Sequence, residues 1–221
     1  FGVAPGQLVT VFGREIGPAS LQTFTLTPTG TIPTTIATTR ILFDGQPAPM
    51  LYTSTGQLSA IVPFSLQGKP KTTVLVEYGQ SQSAPMEFPV LLSQPGIFTL
   101  DGSGTGPAAV LNQDGTLNSA SNPASPGSVI VLFATGGGAM QPEGVDGRIS
   151  DSVSNLSQTV SAEIDGRPAE VVYAGNAPGL VQGVIQINLR LQSLASAGDA
   201  LLVIKIGANE SALGVRIFTK P

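Results

Sequence analysis

The sequence predicts an all-β protein built from two tandem β-sandwich modules. Three observations predict it: a composition suited to short strands and tight turns, apolar segments of strand length, and an internal repeat. Of the 221 residues, 27 are Gly and 18 are Pro, and only 11% are charged. Ordinary soluble chains carry about 25% charged residues. Exposed helices need charged side chains on their outer faces, so this composition favours strands over long surface helices.

The internal repeat is visible as matching residues at a constant spacing. Pro5-Gly6 introduces an apolar run at 8–12, and Pro126-Gly127 introduces a similar run at 129–133, which lies 121 residues further on (126 minus 5). After Tyr173 the second copy carries extra residues, and its closing strands return at a spacing of 128. Since matching pairs at one spacing seldom arise by chance, we interpret the chain as a duplication. Further pairs are Asp44-Gly45 with Asp165-Gly166, Tyr52 with Tyr173, and Gly79 with Gly207.

Each copy is expected to form short strands separated by turns. Asp-Gly at 44–45 stands between two apolar segments, where it favours a tight hairpin turn. Val160, Ala162 and Ile164 alternate with polar residues, as in a half-buried strand. Segments 13–39 and 134–160 are expected to be long crossover connections with room for one edge strand. The other predicted strands are 41–43, 48–52, 58–62, 73–78 and 86–92 in the first copy, and 184–191, 201–206 and 213–218 in the second.

The repeat divides the chain into module 1 at residues 1–95, an inter-module segment at 96–125, and module 2 at 126–221. The segment 96–125 contains a predicted hairpin, in which residues 108–111 turn at Asp114-Gly115 into Thr116 and Leu117. Its apolar side chains need a surface to rest on. Two arrangements remain open: the hairpin packs between the modules, or it belongs to a free linker.

Charge and composition exclude several classes of partner. The net charge is −4 and the basic residues are scattered, which argues against a nucleic-acid partner. No apolar run reaches the roughly 18 residues of a membrane-spanning helix. The absence of cysteine excludes disulfides and thiolate metal sites. No export signal is visible at the N-terminus, so we expect a fragment of a longer protein whose signal, if any, lies upstream.

The sequence predicts no catalytic, cofactor-binding or metal-ligating residue. It has no histidine, which removes the usual general base and imidazole metal sites. Asp44 and Asp165 are expected to cap their turns. A calcium site of Asp146, Asp151 and Glu143 in one loop remains an alternative to a solvated loop, which the spacing favours. Solvent or structural positions are expected for Lys69, Lys71, Lys205 and Lys220, and solvent-facing strand positions for Glu77, Glu163 and Glu170.

The glycine runs and the aromatic residues are also assigned structural roles. The runs at 102–106 and 136–138 are expected to reverse the chain, because a phosphate-binding loop would need a following helix. The chain has no tryptophan for a sugar-binding platform. The repeat-matched pairs Tyr52 with Tyr173 and Phe12 with Phe133 are expected to hold the shared fold. Tyr78, Phe24 and Phe64 remain as aromatic residues for an exposed surface.

Several motifs resemble a known family. The Pro-Gly opener, the strand ending in Phe-Gly or Phe-Ala-Thr-Gly and the Asp-Gly-x-Pro-Ala turn resemble immunoglobulin-like domains of the IPT/TIG, E-set type. The whole chain more closely resembles the Solibacter-type uncharacterised C-terminal domain. This resemblance implies a C-terminal module of larger secreted or surface proteins, with no assigned activity. The motifs that carry it lie at 4–6, 57–63, 95–99, 133–136, 165–169 and 177–182.

Together these observations predict a non-enzymatic C-terminal module of an exported bacterial protein, located outside the cell or on its surface. It would act as a spacer, a surface-attachment unit or a protein-interaction domain. The partner would be a protein or a cell-surface glycan, and the oligomeric state stays open. The alternatives are a carbohydrate-binding accessory module and an enzyme that uses paired carboxylates.

Overall fold

The computed structural model describes residues 2–192 and 198–220, so Phe1, Pro221 and the segment 193–197 lie outside the description. Within the described residues the chain is all β, with several sheets and no α-helix. A 3-10 turn covers Phe64–Leu66. The prediction of an all-β fold is therefore confirmed.

The first half forms two facing sheets. One sheet has the strand order β1-β6-β5-β2, and the other has the order β4-β3-β7-β8 with β9 also on β7. The core between them includes Ile41, Phe43 and Leu58. The strands are β1 (Leu8–Phe12), β2 (Gln22–Thr23), β3 (Thr39–Phe43), β4 (Gln46–Pro47), β5 (Met50–Thr53), β6 (Gln57–Ile61), β7 (Lys71–Tyr78), β8 (Ser81–Gln82) and β9 (Met86–Pro89).

The second half begins with β10 (Gly96–Ile97), β11 (Gly106–Pro107) and β12 (Val110–Leu111). Its further strands are β13 (Val129–Thr135), β14 (Met140–Gln141), β15 (Asn155–Leu156), β16 (Val160–Ile164), β17 (Arg167–Asn176), β18 (Val184–Arg190), β19 (Gly198–Ile206), β20 (Asn209–Glu210) and β21 (Val215–Thr219).

Strand β17 links the two layers of the second half. Its residues 167–169 pair with β16, and most of its later residues pair with β18. The strand order β10-β13-β18-β17-β16-β19-β21-β11 is therefore continuous in hydrogen bonding. The core includes the fully buried Leu132, Ile187, Leu189, Leu202 and Ile204. Strands that pass from one layer to the other close the corner of a sandwich in this way.

Positions matched by the repeat have matching local geometry. Asp44 and Asp165 have positive φ values of 51° and 50°, as the tight turns require. The pairing of β5 with β6 shifts register between Met50 and Tyr52, and that of β17 with β18 shifts between Val171 and Tyr173. Both β-bulges therefore fall 121 residues apart, at the same point of each half.

The segment 96–125 lies on the second half. Strands β10 and β12 pair with β13, and β11 pairs in parallel with β21. Its Ala108 and Val110 are buried in the core of that half. The predicted turn at 114–115 is closed by a bridge between Leu111 and Leu117. The predicted hairpin packs on the second half, because its apolar side chains complete the second core. Phe98, earlier in the same segment, instead packs against an apolar cluster to which both halves contribute.

Candidate functional site

The loop that holds the three candidate calcium ligands is used for other contacts. Asp146 Oδ1 accepts the Phe64 N–H at 2.8 Å, and burial raises the pKa of Asp146. Asp151 binds Arg148 at 2.8 Å, and hydrogen bonds from that guanidinium lower the pKa of Asp151. Glu143 is exposed. Over residues 2–192 and 198–220, no group of three acidic, His or Cys side chains is arranged to hold a metal ion.

The carboxylates of the two turn aspartates accept backbone hydrogen bonds from the strand that lies beside them in the sheet, which is β7 for Asp44 and β19 for Asp165. Asp44 Oδ1 accepts the Thr73 N–H and Asp165 Oδ1 accepts the Leu201 N–H, both at 2.8 Å. Lys69 Nζ lies 2.9 Å from Asp44 Oδ2, and this hydrogen bond, with that of Thr73, lowers the pKa of Asp44. Both carboxylates therefore act within a turn, since each bonds a strand of its own half.

Glu77 does not occupy the solvent-facing position that the sequence predicts. It is buried, pairs with Arg40 and accepts a 2.6 Å hydrogen bond from Gln82 Nε2. The reason is that β8, which holds Gln82, pairs beside it on β7. Glu163 and Glu170 are more exposed and pair with Lys205 at 3.6 Å and Arg190 at 2.9 Å.

The lysines with described ionic contacts are bound to carboxylates. Lys69 contacts Asp44, Lys71 contacts Glu87 at 2.7 Å, and Lys205 contacts Glu210 at 2.9 Å. The hydrogen bond that Lys205 donates to Glu210 raises the pKa of Lys205. Ammonium groups whose pKa is raised are poor general bases at neutral pH, because they hold the proton.

Two aromatic residues are placed differently from the expectation. Phe64, expected to be exposed, is only 3% exposed, whereas Phe12, expected to support the fold, is 75% exposed at the end of an edge strand. Tyr173 does support the fold, because its hydroxyl donates to the Asn176 carbonyl oxygen at 2.8 Å, and burial raises its pKa. Phe133 packs against the apolar cluster described next.

Outside the two cores, the two halves of the chain contact each other. At the centre of this contact lies an apolar cluster to which both halves contribute. We call this surface the joint. Leu8 and Leu51 of the first half and Phe98, Phe133 and Ile149 of the second pack around it. The cluster itself consists of the buried residues Ile32, Ile61, Ala177, Val181 and Val184.

Hydrogen bonds join the halves on one side of this cluster. The Ile32 N–H donates to the Gly147 carbonyl oxygen at 2.8 Å, next to a bridge between Thr31 and Arg148. The bond from the Phe64 N–H to Asp146 lies in the same region of the chain. A loop of the second half is therefore fastened to two separate segments of the first.

On another side, β1 meets the end of β13. The Leu8 N–H donates to Thr135 Oγ1 at 2.8 Å, and that hydroxyl donates to the Gly183 carbonyl oxygen at 2.9 Å. A side chain on Gly183 would overlap the carbonyl oxygen of Gly6. Glycine at 183 is therefore required by the close approach of the two backbones as well as by its φ of 116°.

The connection between the halves, residues 92–94, is itself packed on the second half. The Gln94 N–H donates to the Gly136 carbonyl oxygen at 2.8 Å, and Ser93 Oγ donates to the Ile206 carbonyl oxygen at 2.7 Å. Gln158 Nε2 donates to the Leu92 carbonyl oxygen at 2.8 Å. The glycine run at 136–138 permits this packing, since Cβ atoms at 136 and 138 would overlap the carbonyl oxygens of Gln94 and Leu92.

The surface also carries two concave regions on the first half. One, of about 500 Å³, lies beside the β7–β8 hairpin and is lined by Arg14, Glu15, Ile16, Tyr78 and Gln82 among others. The other, of about 300 Å³, is mainly apolar and runs along β1. We call them the Tyr78 groove and the β1 groove.

Comparison with known proteins finds distant structural similarity. No family model and no curated protein matches the chain. A structure of surface layer protein SbsC, domains 4–9, shares 12% identity with a TM-score of 0.25 over 99% of this chain, which spans 31% of that one. A structure of the S-layer protein SbsC, domains 5–6, shares 14% identity with a TM-score of 0.27, covering 99% of this chain and 91% of that one.

Among the described residues, no helix is long and apolar enough to cross a membrane.

Proposed function

We propose that the chain is a non-enzymatic, rigid two-module spacer in the C-terminal part of an exported bacterial protein. Its modules would be immunoglobulin-like domains of the IPT/TIG, E-set type, and its place would be the cell surface or the extracellular space. The observation that carries the proposal is the joint, with its buried apolar cluster and fastened connection. The charge-poor composition and the family resemblance support the location.

The argument for rigidity starts from the usual behaviour of linked domains. Domains in one chain move relative to each other unless their interface is large and apolar. Here the halves meet at four places that are separate along the chain: residues 31–32, Phe64, the edge strand β1, and the connection 92–94. Rotation about the connection alone would break the contacts at the other three places. The joint therefore resists bending in more than one direction.

The difference between the two copies also points to the joint. The second copy has extra residues after Tyr173, and these deliver Ala177 and Val181 into the buried cluster. Gln182, in the same stretch, is buried, and its Oε1 accepts the Val145 N–H at 2.6 Å. The insertion thus supplies a contact surface that the matched turn of the first copy lacks. A module that only repeats its neighbour has no need of such an insertion.

Pulsed electron paramagnetic resonance tests the proposal directly. The chain has no cysteine, so Gln80→Cys and Ala120→Cys place one spin label on an exposed position of each half. A rigid spacer gives one narrow distance distribution that does not change between dilute buffer and molecular crowding agents. A broad or two-peaked distribution would refute rigidity. Turnover in a broad hydrolase screen would overturn the non-enzymatic part of the proposal.

A second candidate function, glycan binding, is favoured by the Tyr78 groove. Tyr78 lies there beside the exposed charges of Arg14 and Glu15, an aromatic and polar combination that suits a sugar ring. A glycan array at high protein concentration tests it, with Tyr78→Ala as the disrupted variant. Phe12→Ala is the matched control, because Phe12 is an exposed aromatic residue outside the groove. Uniform silence on the array would reject this candidate.

A further inference from the structure

The β1 groove lies at an open seam of the first sandwich. Strand β1 is the edge of one sheet and pairs only with β6 among the described residues. Strand β9 lies at an edge of the facing sheet, where it pairs with β7. The groove of about 300 Å³ lies between them and reaches the core residues Ile41, Phe43 and Val74.

The same seam is covered in the second half. Strand β12 pairs with β13, the counterpart of β1, and β11 pairs with β21, the counterpart of β9. The effect on matched side chains is large. Ile130 and Leu132 are fully buried, whereas their counterparts Val9 and Val11, 121 residues earlier, are partly exposed.

The facing edge shows the same contrast. Met86, the first residue of β9, is 60% exposed, whereas Val215, the first residue of β21, is 1% exposed beneath β11. The groove beside Met86 is itself lined by the partly exposed apolar side chains of Val9, Val11 and Phe88, and exposed apolar surface of this kind marks an interaction surface.

The backbone of β1 can also pair with another strand on the side that faces away from β6. The Leu8 N–H points away from β6, since it donates to Thr135 Oγ1. Backbone groups alternate along a strand, so the Thr10 N–H and C=O point the same way. In the second half, the counterpart of Thr10 is Val131, which pairs with Leu111. Thr10 has no such neighbour among the described residues.

The path of the chain shows that the two seams correspond. Val3 forms a parallel bridge with Val90, and Ala124 forms a parallel bridge with Thr219. In both halves the Pro-Gly opener follows this bridge directly. The residues that enter each module therefore occupy matching places, and the difference lies in the covering strands.

We propose that the β1 groove binds an extended, uncharged peptide segment of small and branched apolar residues. The segment adds antiparallel to β1, as Val110 and Leu111 add to β13, and places its apolar side chains over Val9 and Val11. No charged side chain lines the groove, so the bound segment is uncharged as well. The groove is continuous with the joint, because Leu8 belongs to both. Strand addition gives affinity through the backbone and specificity through alternate side chains.

A synthetic peptide with the sequence of residues 105–113 is the probe, because that stretch contains the strands that cover the second seam. Its fluorescently labelled form is titrated against the whole chain and compared with a scrambled peptide of the same composition. We expect one binding site and at least about tenfold tighter binding than the scrambled peptide shows. Equal binding of the two peptides, or no binding of either, would overturn the proposal.

Two variants at one position locate the site. Thr10→Pro removes the outward N–H without touching the ladder to β6, and we expect at least about tenfold weaker peptide binding. Thr10→Val keeps the N–H and serves as the matched control, with binding unchanged. If Thr10→Pro does not fold, hydrogen exchange of the Thr10 amide in the unchanged chain decides: peptide must slow it, and an unaltered exchange rate overturns the proposal.

The outcomes separate this inference from the proposed function, beyond which it goes. A narrow spin-label distance with no peptide binding overturns the groove proposal and keeps the rigid spacer. A broad distance with specific peptide binding does the reverse. A monomer–dimer equilibrium that Thr10→Pro abolishes would show that a second copy fills the groove, and would overturn a separate peptide partner.

Discussion

Replacing Gly138 by alanine tests whether the packed connection holds the two halves together. Gly138 has a φ of 77°, and a Cβ there would overlap the carbonyl oxygen of Leu92. Gly179 provides a matched control, because its φ is 76° and a Cβ there meets no atom within 4 Å. Both substitutions place alanine in the same left-handed conformation, so their difference isolates the contact with the connection.

The expected magnitudes follow from these geometries. A non-glycine residue in the left-handed region costs about 1–2 kcal/mol, partly offset by about 0.4–1 kcal/mol from the less flexible unfolded chain. Gly179→Ala is therefore expected to lower the free energy of unfolding by about 1 kcal/mol. Gly138→Ala also displaces the connection and breaks the bonds from Gln158 to Leu92 and from Gln94 to Gly136. At about 1 kcal/mol per bond, its total cost is about 3 kcal/mol.

Thermal unfolding and the spin-label distance measure the effect together. A difference of about 2 kcal/mol corresponds to about 4–8 °C in unfolding midpoint for a chain of this size. We further expect Gly138→Ala, but not Gly179→Ala, to broaden the distance distribution between labels at 80 and 120. If the two variants unfold within about 0.5 kcal/mol of each other and both stay narrow, the connection does not stabilise the joint.

Three other predictions concern the aspartates and the core. Burial raises the pKa of Asp146, so the folded state binds the proton of this carboxyl group more tightly than the unfolded chain does. The contribution of Asp146 to the free energy of unfolding is therefore largest at low pH. It falls as the pH rises through the ordinary carboxyl range to the raised pKa. Asp146→Asn keeps an acceptor for the Phe64 N–H and should flatten this decline, whereas Asp146→Ala leaves that donor unpaired and should destabilise by about 1–3 kcal/mol, both measured by urea unfolding over a series of pH values. Asp44→Ala and Asp165→Ala should each cost about 1–2 kcal/mol, and a loss below about 0.5 kcal/mol at either position would contradict the role of its carboxylate in the turn. Ile187→Ala should cost about 2–5 kcal/mol because Ile187 is fully buried, and a loss below about 1 kcal/mol would place it outside the core.

Much of the strand layout could be predicted because its causes are local. Alternation and apolar runs fixed the segment 8–12, which is β1 (Leu8–Phe12) in the structure, and the segment 129–133, which lies within β13 (Val129–Thr135). Asp-Gly at 44–45 and 165–166 predicted turns because few other residue pairs adopt their positive φ values. The immunoglobulin-like type of the modules stays a prediction.

The wrong expectations share a physical cause, which is contact between residues distant in sequence. Phe64 is buried because a loop of the second half packs on it: the backbone of Gly144 lies against the ring, and Asp146, 82 residues later, accepts the Phe64 N–H. Phe12 sits at a position matched to Phe133, but only Phe133 packs against the joint. Equivalence within a repeat predicts equal surroundings only where the neighbouring segments are also repeated.

The joint has two signals in the sequence. The extra residues after Tyr173 and the glycine run at 136–138 both mark places where the second copy departs from the first. An insertion that carries Ala177 and Val181 among glycines and prolines has apolar side chains to bury. Departures from an internal repeat can therefore mark an interface between the copies, as its matches mark the shared fold.

The last strand, β21, bonds on both of its edges, to β19 on one side and to β11 on the other. Tension applied to the chain beyond Thr219 pulls along this strand, so the bonds of both ladders bear the force together rather than opening one by one. Resistance of this kind is governed by the rate of forced unfolding rather than by equilibrium stability. The segment 96–125, by supplying β11, thereby reinforces the end of the molecule at which such a load would enter.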